Sequence, residues 1–162
     1  MIRWGLCCIF REAPIRFRRT TAKYVSKLSP DEQKRHLSGI CLHNANSLLE
    51  ALHFCRQNGI KAFRINSQIL PLKTHPQFGY AIERLPESTK IVKTFKKCGA
   101  YGRRYHLRLS FHPDQFILLS SPNPDDFPES WLKLDITLDV EAKAKELAVL
   151  KLMQEIDIRQ KK

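Results

Sequence analysis

Short apolar segments alternate with long amphipathic helices over the first 112 residues, and this succession limits the possible folds more than any other feature. The predicted strands are Gly5 to Phe10, Ile60 to Asn66 and Leu107 to His112. The predicted helices between them run from Pro30 to a stop signal at Asn58-Gly59, and from Ser88 to Tyr105. A β-α-β-α-β order with helices of this length favours a parallel sheet built by right-handed crossovers.

The first of these helices has a strong start signal. Ser29 can cap the helix, Pro30 suits its first position, and Glu32 completes a capping box. Apolar residues then recur at helical spacing: Leu37, Ile40, Cys41, Ala45, Leu48, Leu49 and Leu52. The sequence therefore predicts one long helix packed on the sheet.

The pattern changes after the third strand. A proline-rich turn region, Ser120 to Pro128, leaves no room for a full helix, and a strictly alternating strand, Leu134 to Glu141, precedes a final helix from Ala142 to Ile158. Alternation places Asp135, Thr137, Asp139 and Glu141 on one face of the last strand. In a barrel such a polar face points inward, which is where a catalytic centre needs it.

Charge and composition restrict the partners. The chain has 162 residues, which predicts a single domain over residues 1–162, and 28 Lys and Arg against 16 Asp and Glu give a net charge of +12. This balance favours a polyanion, either nucleic acid or an anionic membrane surface. No run of eighteen apolar residues is present, so we expect nothing to span a membrane.

The five cysteines form no C-x-x-C pair. We expect Cys7, Cys8, Cys41, Cys55 and Cys98 to be reduced thiols in the core of an intracellular, cytoplasmic protein.

Three residues of metal-ligand types fall at or just after strand ends. His75, His112 and Glu141 would meet at one rim if their strands share a sheet, and imidazole with carboxylate suits Zn, Mn or Fe. The alternative is that a histidine before proline, as both are, is a solvated loop residue. His112 is the last histidine of the chain, so other residue types must complete any site it belongs to.

Two further groups could contact nucleic acid. Gln115 and Phe116 follow His112, and an amide beside an aromatic ring can fill the gap left by displaced bases and stack on their neighbours. The alternative places Phe116 in a small core with Ile117 to Leu119. A basic loop after the first strand carries Arg11, Arg16, Arg18 and Arg19, which either hold phosphates or form a solvated charged surface.

Six segments in order and spacing resemble the UV damage endonuclease family. They are Gly5-Leu6-Cys7-Cys8, Leu42-His43-Asn44-Ala45, Phe63-Arg64-Ile65-Asn66-Ser67, Pro71-Leu72-Lys73-Thr74-His75-Pro76, Ser110-Phe111-His112-Pro113-Asp114-Gln115-Phe116 and Glu141-Ala142-Lys143-Ala144-Lys145-Glu146. Some members carry a lesion-contacting tyrosine after the first glycine, where this chain has Leu6.

The resemblance implies a TIM barrel related to endonuclease IV that cuts duplex DNA 5′ to UV photoproducts. A cluster of divalent metals, manganese foremost and zinc or magnesium as alternatives, would bind the phosphate oxygens, generate hydroxide and stabilise the leaving oxygen. His75, His112 and Glu141 are then metal ligands, and Gln115 with Phe116 probes the lesion from the opposite side of the duplex.

The chain is short for this fold, because a (β/α)₈ domain typically needs about 250 residues. Residues 1–123 resemble the N-terminal part of the barrel and 132–162 its last strand and helix, with the junction between Pro124 and Trp131. The predicted fold class is therefore α/β, a truncated TIM barrel of about four parallel strands with flanking helices. The third and last strands should either pair with each other or each expose an edge, and a homo-oligomer could complete the barrel.

The sequence thus predicts a metal-dependent UV-damage DNA endonuclease. The alternative is a catalytically inactive, basic DNA-binding remnant of that family. A sugar-phosphate isomerase on the same barrel is a third interpretation, opposed by the positive charge and by Gln115-Phe116.

Overall fold

A four-stranded parallel sheet is the centre of the molecule. The computed structural model describes residues 4–111, 138–140, 146, 147, 149 and 150. The strands are β1 (Trp4–Cys7), β2 (Ala62–Ile65), β3 (Arg108–Phe111) and β4 (Leu138–Val140), in the spatial order β3-β2-β1-β4. Every neighbouring pair is parallel, which confirms the predicted α/β class and the parallel sheet.

The two ends of the described chain meet at β1. This strand pairs with β2 on one side and with β4 on the other, where Leu6 lies opposite Val140. Among the described residues, strands β3 and β4 therefore lie at opposite edges of the sheet and do not pair with each other. The edge position leaves Phe111 of β3 59 % exposed.

Two long helices follow β1 and β2, as predicted. They are α2 (Pro30–Gln57) and α3 (Ser88–Arg104). The Ser29 amide and hydroxyl both donate to Glu32 Oε2, at 2.9 and 2.6 Å, and Gly59 has a φ of 69° just beyond the last turn of α2. A short helix α1 (Ala22–Val25) and a 3-10 turn (Ile82–Arg84) were not predicted.

The main core lies between the sheet and these two helices. Its buried side chains come from both strands and helices, among them Leu6, Leu48, Leu52, Phe63 and Cys98. A smaller cluster is formed by Val25, Leu37, Cys41, Leu85 and Ile91. Both bury the apolar stripes expected from the helical spacing.

The first strand ends earlier than predicted because the chain turns at Cys8. This residue has a φ of 59°, and its amide donates to the Arg64 carbonyl at 2.8 Å. Four of the five cysteines are buried, but Cys8 is only half-buried, so the expected core position is wrong for Cys8.

Several sequence predictions lie outside the described residues. They include His112, Gln115, Phe116 and Glu141, the proline-rich turn, and most of the final helix; residues 146, 147, 149 and 150 are helical. In the described ranges, no helix is long and apolar enough to cross a bilayer.

Candidate functional site

Two loops leave the carboxyl edge of the sheet side by side. The β1 loop (residues 8–21) carries the four predicted phosphate-binding arginines, and the β2 loop (residues 66–81) carries His75. Because β1 and β2 are parallel neighbours, both loops emerge at the same edge, where open α/β sheets bind their ligands.

Asn44 of α2 joins these loops. Its Oδ1 accepts from the Arg18 amide at 2.8 Å, and its Nδ2 donates to the carbonyls of Arg18 and Ile69 at 3.0 and 3.1 Å. The side chain is fully buried, so these hydrogen bonds have no competition from water. Sequence reasoning assigned Asn44 no role; the available signal was a polar residue beside the apolar stripe at Cys41 and Ala45.

The same helix face holds the β1 loop at a second point. Ser47 Oγ donates to the Arg16 carbonyl at 2.7 Å, and His43 Nε2 lies 2.9 Å from the same oxygen. A carbonyl has two lone pairs, so it can accept from both side chains. These contacts fix the loop at Arg16, two residues before Arg18.

A buried carboxylate fastens the start of the β1 loop. Glu146 is 2 % exposed and accepts from three successive amides, those of Arg11 at 2.8 Å, Glu12 at 2.8 Å and Ala13 at 3.2 Å. Successive amides converging on one anion form a nest. Burial raises the pKa of the Glu146 carboxyl, but hydrogen bonds from the Arg11 and Glu12 amides outweigh it and hold the pKa below its usual value.

The four loop arginines divide into two kinds. The Arg16 guanidinium donates to the carbonyls of Ala13, Ile15 and Arg11 at 2.5, 2.9 and 3.2 Å, so it braces the loop from within. Arg11, Arg18 and Arg19 are exposed, and their guanidinium groups form no ion pair with the described residues. Three exposed guanidinium groups thus lie on a loop whose backbone is fixed at several points.

His75 is held by its own turn. Its Nδ1 accepts from the amides of Gln77 and Phe78 at 3.2 and 3.3 Å, and its ring lies 5.2 Å from that of Phe78. An Nδ1 that accepts hydrogen bonds carries no proton, so a neutral ring in this position has its proton on Nε2.

In this ring orientation the Nε2 atom of His75 is not available to a metal ion. A metal bound at Nε2 would require the proton to move to Nδ1, which faces two amide donors. His112 and Glu141 lie outside the described residues, within which no group of three His, Cys, Asp or Glu is placed to hold a metal. The ligand set His75, His112 and Glu141 stays a prediction.

Asn66 adds one more polar group at the end of β2. Its side chain is 6 % exposed, and Nδ2 has no hydrogen-bond partner among the described residues. An unpaired buried donor is rare and suits an acceptor supplied by a ligand or by water.

A parallel sheet flanked by helices, with an arginine-bearing loop fixed at its carboxyl edge, defines this chain as an α/β protein. Comparison with known proteins gives the family. The family model described as UV-endonuclease UvdE matches residues 2–130, and the chain belongs to this family, as its sequence motifs predicted.

Two relatives show the extent of the match. The UV DNA damage endonuclease of Nostoc sp. is 34 % identical over 122 residues, which are 75 % of this chain and 36 % of the relative. That of Bacillus pumilus is 39 % identical over 105 residues, 65 % of this chain and 31 % of the relative. The chain therefore spans about a third of the length of these relatives.

A solved structure shares the fold. The crystal structure of SacUVDE superposes with a TM-score of 0.58 at 23 % identity, covering 78 % of this chain and 40 % of that one. This similarity is evidence for the fold alone.

Proposed function

We propose that this chain is a DNA repair endonuclease that nicks duplex DNA 5′ to UV photoproducts. The observation that carries the proposal is the set of exposed arginines Arg11, Arg18 and Arg19 on a pinned strand-end loop, in a chain of the UvdE family. Guanidinium groups bind phosphates well, and a fixed loop loses little entropy when it does so.

The fixed β1 loop suits recognition of a phosphate backbone. Asn44, Ser47 and Glu146 hold its main chain, so the backbone that carries the three exposed arginines has a fixed path. Phosphate contacts of this kind position a duplex without selecting a base sequence. Lesion recognition is then a task for other residues, and we assign it to Gln115 and Phe116.

The fold that we propose is a truncated TIM barrel. In a closed barrel the first and last strands are neighbours, and the pairing of β4 with β1 supports this assignment. Residues 1–123 then supply the first three strands and residues 132–162 the last strand and helix.

Metal ions form part of the proposal. The ligands are His75, His112 and Glu141, and the ion is Mn²⁺, with Zn²⁺ and Mg²⁺ as alternatives. Because the Nδ1 of His75 accepts two amides, its ring must reorient before Nε2 can bind a metal.

Cutting of a defined substrate tests the function. Purified chain with Mn²⁺ is incubated with an end-labelled duplex that carries one cyclobutane dimer. The comparison samples are one with EDTA, the His112→Ala variant and a His53→Ala control. His53 is exposed, and its ring centroid lies 4.5 Å from that of Tyr101. We expect nicking 5′ to the dimer that EDTA and His112→Ala abolish and His53→Ala preserves. Absence of nicking by folded protein would refute the activity.

A non-cutting DNA-binding remnant is the second candidate. It is favoured by the exposed arginines Arg11, Arg18 and Arg19, which can bind phosphates without supplying a group that cuts the backbone. In the same assay it gives a shifted duplex on a native gel but no nick.

The lesion probe has its own test. Phe116→Ala should bind intact duplex as the parent does but lose preference for the dimer-containing duplex, measured as the ratio of the two dissociation constants. An unchanged ratio would refute the assignment.

Assembly of two copies is also proposed, because β3 pairs only with β2 in the described part of the chain and leaves Phe111 exposed. Sedimentation equilibrium distinguishes a dimer from a monomer. A monomer that nicks DNA would show that no second copy is needed.

A further inference from the structure

The charged side chains of α3 are all positive. In this 17-residue helix six side chains are basic and none is acidic; the basic ones are Lys90, Lys93, Lys96, Lys97, Arg103 and Arg104. Its inner face buries Ile91, Cys98 and Gly102. Helical spacing of 100° per residue places Lys93, Lys96, Arg103 and Arg104 on the opposite side, around Ala100.

These cations are accessible and largely unpaired. All six basic residues are exposed, and in the described residues only Lys90 forms an ion pair, with Glu87 at 2.9 Å. The long helix α2 differs, because its Asp31, Glu32 and Glu50 balance its Lys34, Arg35 and Arg56. The excess of charge is therefore a property of α3 and not of every exposed helix.

A groove runs along this face. It has a volume of about 710 Å³ and is lined by Val92, Ala100, Ser88, Thr89, the lysines 93, 96 and 97, and Glu83 of the 3-10 turn. From Lys90 to Arg104 the helix extends for about 21 Å at 1.5 Å per residue. This length allows several phosphates of one strand to contact the row of cations.

We propose that the α3 face, defined as Lys93, Lys96, Arg103 and Arg104, binds the phosphate backbone of duplex DNA. It is a second contact surface, on the outer helix layer and separate from the strand-end loops. The contact is electrostatic and independent of sequence, so it would hold undamaged DNA as well as damaged DNA. It does not require the strand-end site to cut.

The shape of α3 favours nucleic acid over an anionic membrane. A helix that binds a bilayer inserts an apolar face into it, and the apolar face of α3 is buried against the core. On the outer side only Val92 and Ala100 are apolar among the groove residues, and no aromatic residue lines the groove. A surface of lysines with hydroxyl groups from Ser88 and Thr89 suits phosphate oxygens.

Salt dependence of DNA binding tests this surface. The full-length Lys93→Gln/Lys96→Gln variant is compared with the parent and with Lys34→Gln/Lys61→Gln, which removes two exposed lysines outside α3. Glutamine keeps helix propensity close to that of lysine, and circular dichroism verifies folding. Affinity for a 20-base-pair undamaged duplex is measured in EDTA over a series of salt concentrations, so nicking cannot affect the result.

We expect the α3 variant to lower the slope of log affinity against log salt by about 2, close to 0.9 per lost contact, while the control variant keeps the parent slope. Glu83→Gln should have the opposite effect and raise affinity, because it removes the carboxylate that lines the groove.

Equal slopes for the two lysine variants, or no binding of duplex by the parent, would overturn the proposal. The proposal would also be overturned if the α3 variant lost binding to phosphatidylserine vesicles while its affinity for duplex DNA stayed equal to that of the parent. If the parent binds duplex DNA normally but does not nick the dimer-containing duplex in Mn²⁺, the endonuclease proposal is refuted and the proposal for the α3 face stands.

Discussion

Asn44 and Arg18 form a reciprocal pair in which a helix side chain hydrogen-bonds both polar groups of a loop residue's backbone. The Arg18 amide donates to Asn44 Oδ1 at 2.8 Å, and Asn44 Nδ2 donates to the Arg18 carbonyl at 3.0 Å. The Arg18 side chain takes no part and remains exposed. Through this pair, α2 sets where a cation of the β1 loop stands.

Replacement of Asn44 should loosen both strand-end loops. Asn44→Ala leaves buried polar groups of Arg18 and Ile69 unpaired, so we expect the free energy of unfolding to fall by about 2–4 kcal/mol in urea titrations. Asn46→Ala changes an exposed asparagine of the same helix and should have little effect. Similar losses for the two variants would contradict the assigned role.

Glu146 should make stability depend on pH in acid. Its pKa in the folded protein is lowered, so its stabilising effect is present above the usual glutamate pKa and is lost as pH falls through the folded value. Glu146→Gln should therefore lower the melting temperature near pH 7. The difference in melting temperature between this variant and the parent should become smaller in acid. The control is Glu50→Gln, which changes an exposed glutamate. If the melting temperatures of the parent and of Glu146→Gln follow parallel curves against pH, Glu146 is not the source of the acid dependence.

Two arginines of the same loop should give opposite phenotypes. Arg16→Ala removes a guanidinium that braces three carbonyls and should cost about 1–2 kcal/mol of unfolding free energy. Arg19→Ala should leave stability unchanged and weaken duplex binding, because its side chain is exposed. Chemical denaturation measures the stability of both variants, and a gel shift measures their binding to duplex DNA. An Arg19→Ala protein that is as destabilised as Arg16→Ala would refute the prediction.

Two glycines should respond in opposite directions to alanine. A Cβ at Gly79 would lie 2.6 Å from the His75 carbonyl oxygen and 3.1 Å from that of Lys73, so Gly79→Ala should destabilise the protein by about 1–3 kcal/mol. Gly39 lies within α2 and has nothing within 4 Å of such a Cβ, so Gly39→Ala should stabilise by up to about 1 kcal/mol. Thermal melts of the two variants test both expectations. A Gly79→Ala protein with the melting temperature of the parent would show that the turn at His75 can adjust to the added Cβ.

Local signals predicted the elements well. Ser29, Pro30 and Glu32 marked the start of α2, and Asn58-Gly59 marked its end, because capping depends on residues within one turn of the helix. The predicted strand from Ile60 to Asn66 likewise contains β2, whose Phe63 and Ile65 share one face and are buried.

Contacts between distant segments were not predictable in the same way. Nothing near Arg16 in the sequence indicates that its guanidinium folds back on loop carbonyls, since an arginine that donates to its own loop and one that does not have the same local pattern. The proton position on His75 depends on a turn whose amides approach Nδ1 only after folding. The nest that binds Glu146 joins residues 135 positions apart.

That separation has a consequence for the order of folding. Strand β1 can gain β2 through the α2 crossover alone, but β4 and Glu146 reach it only after the largest loop in the molecule has closed. The ladder between β1 and β4 and the seating of the Arg11–Ala13 amides on Glu146 therefore belong to the late, slow part of folding. Until then β1 has a free edge, and in that interval the unfinished chain is most exposed to pairing with another molecule.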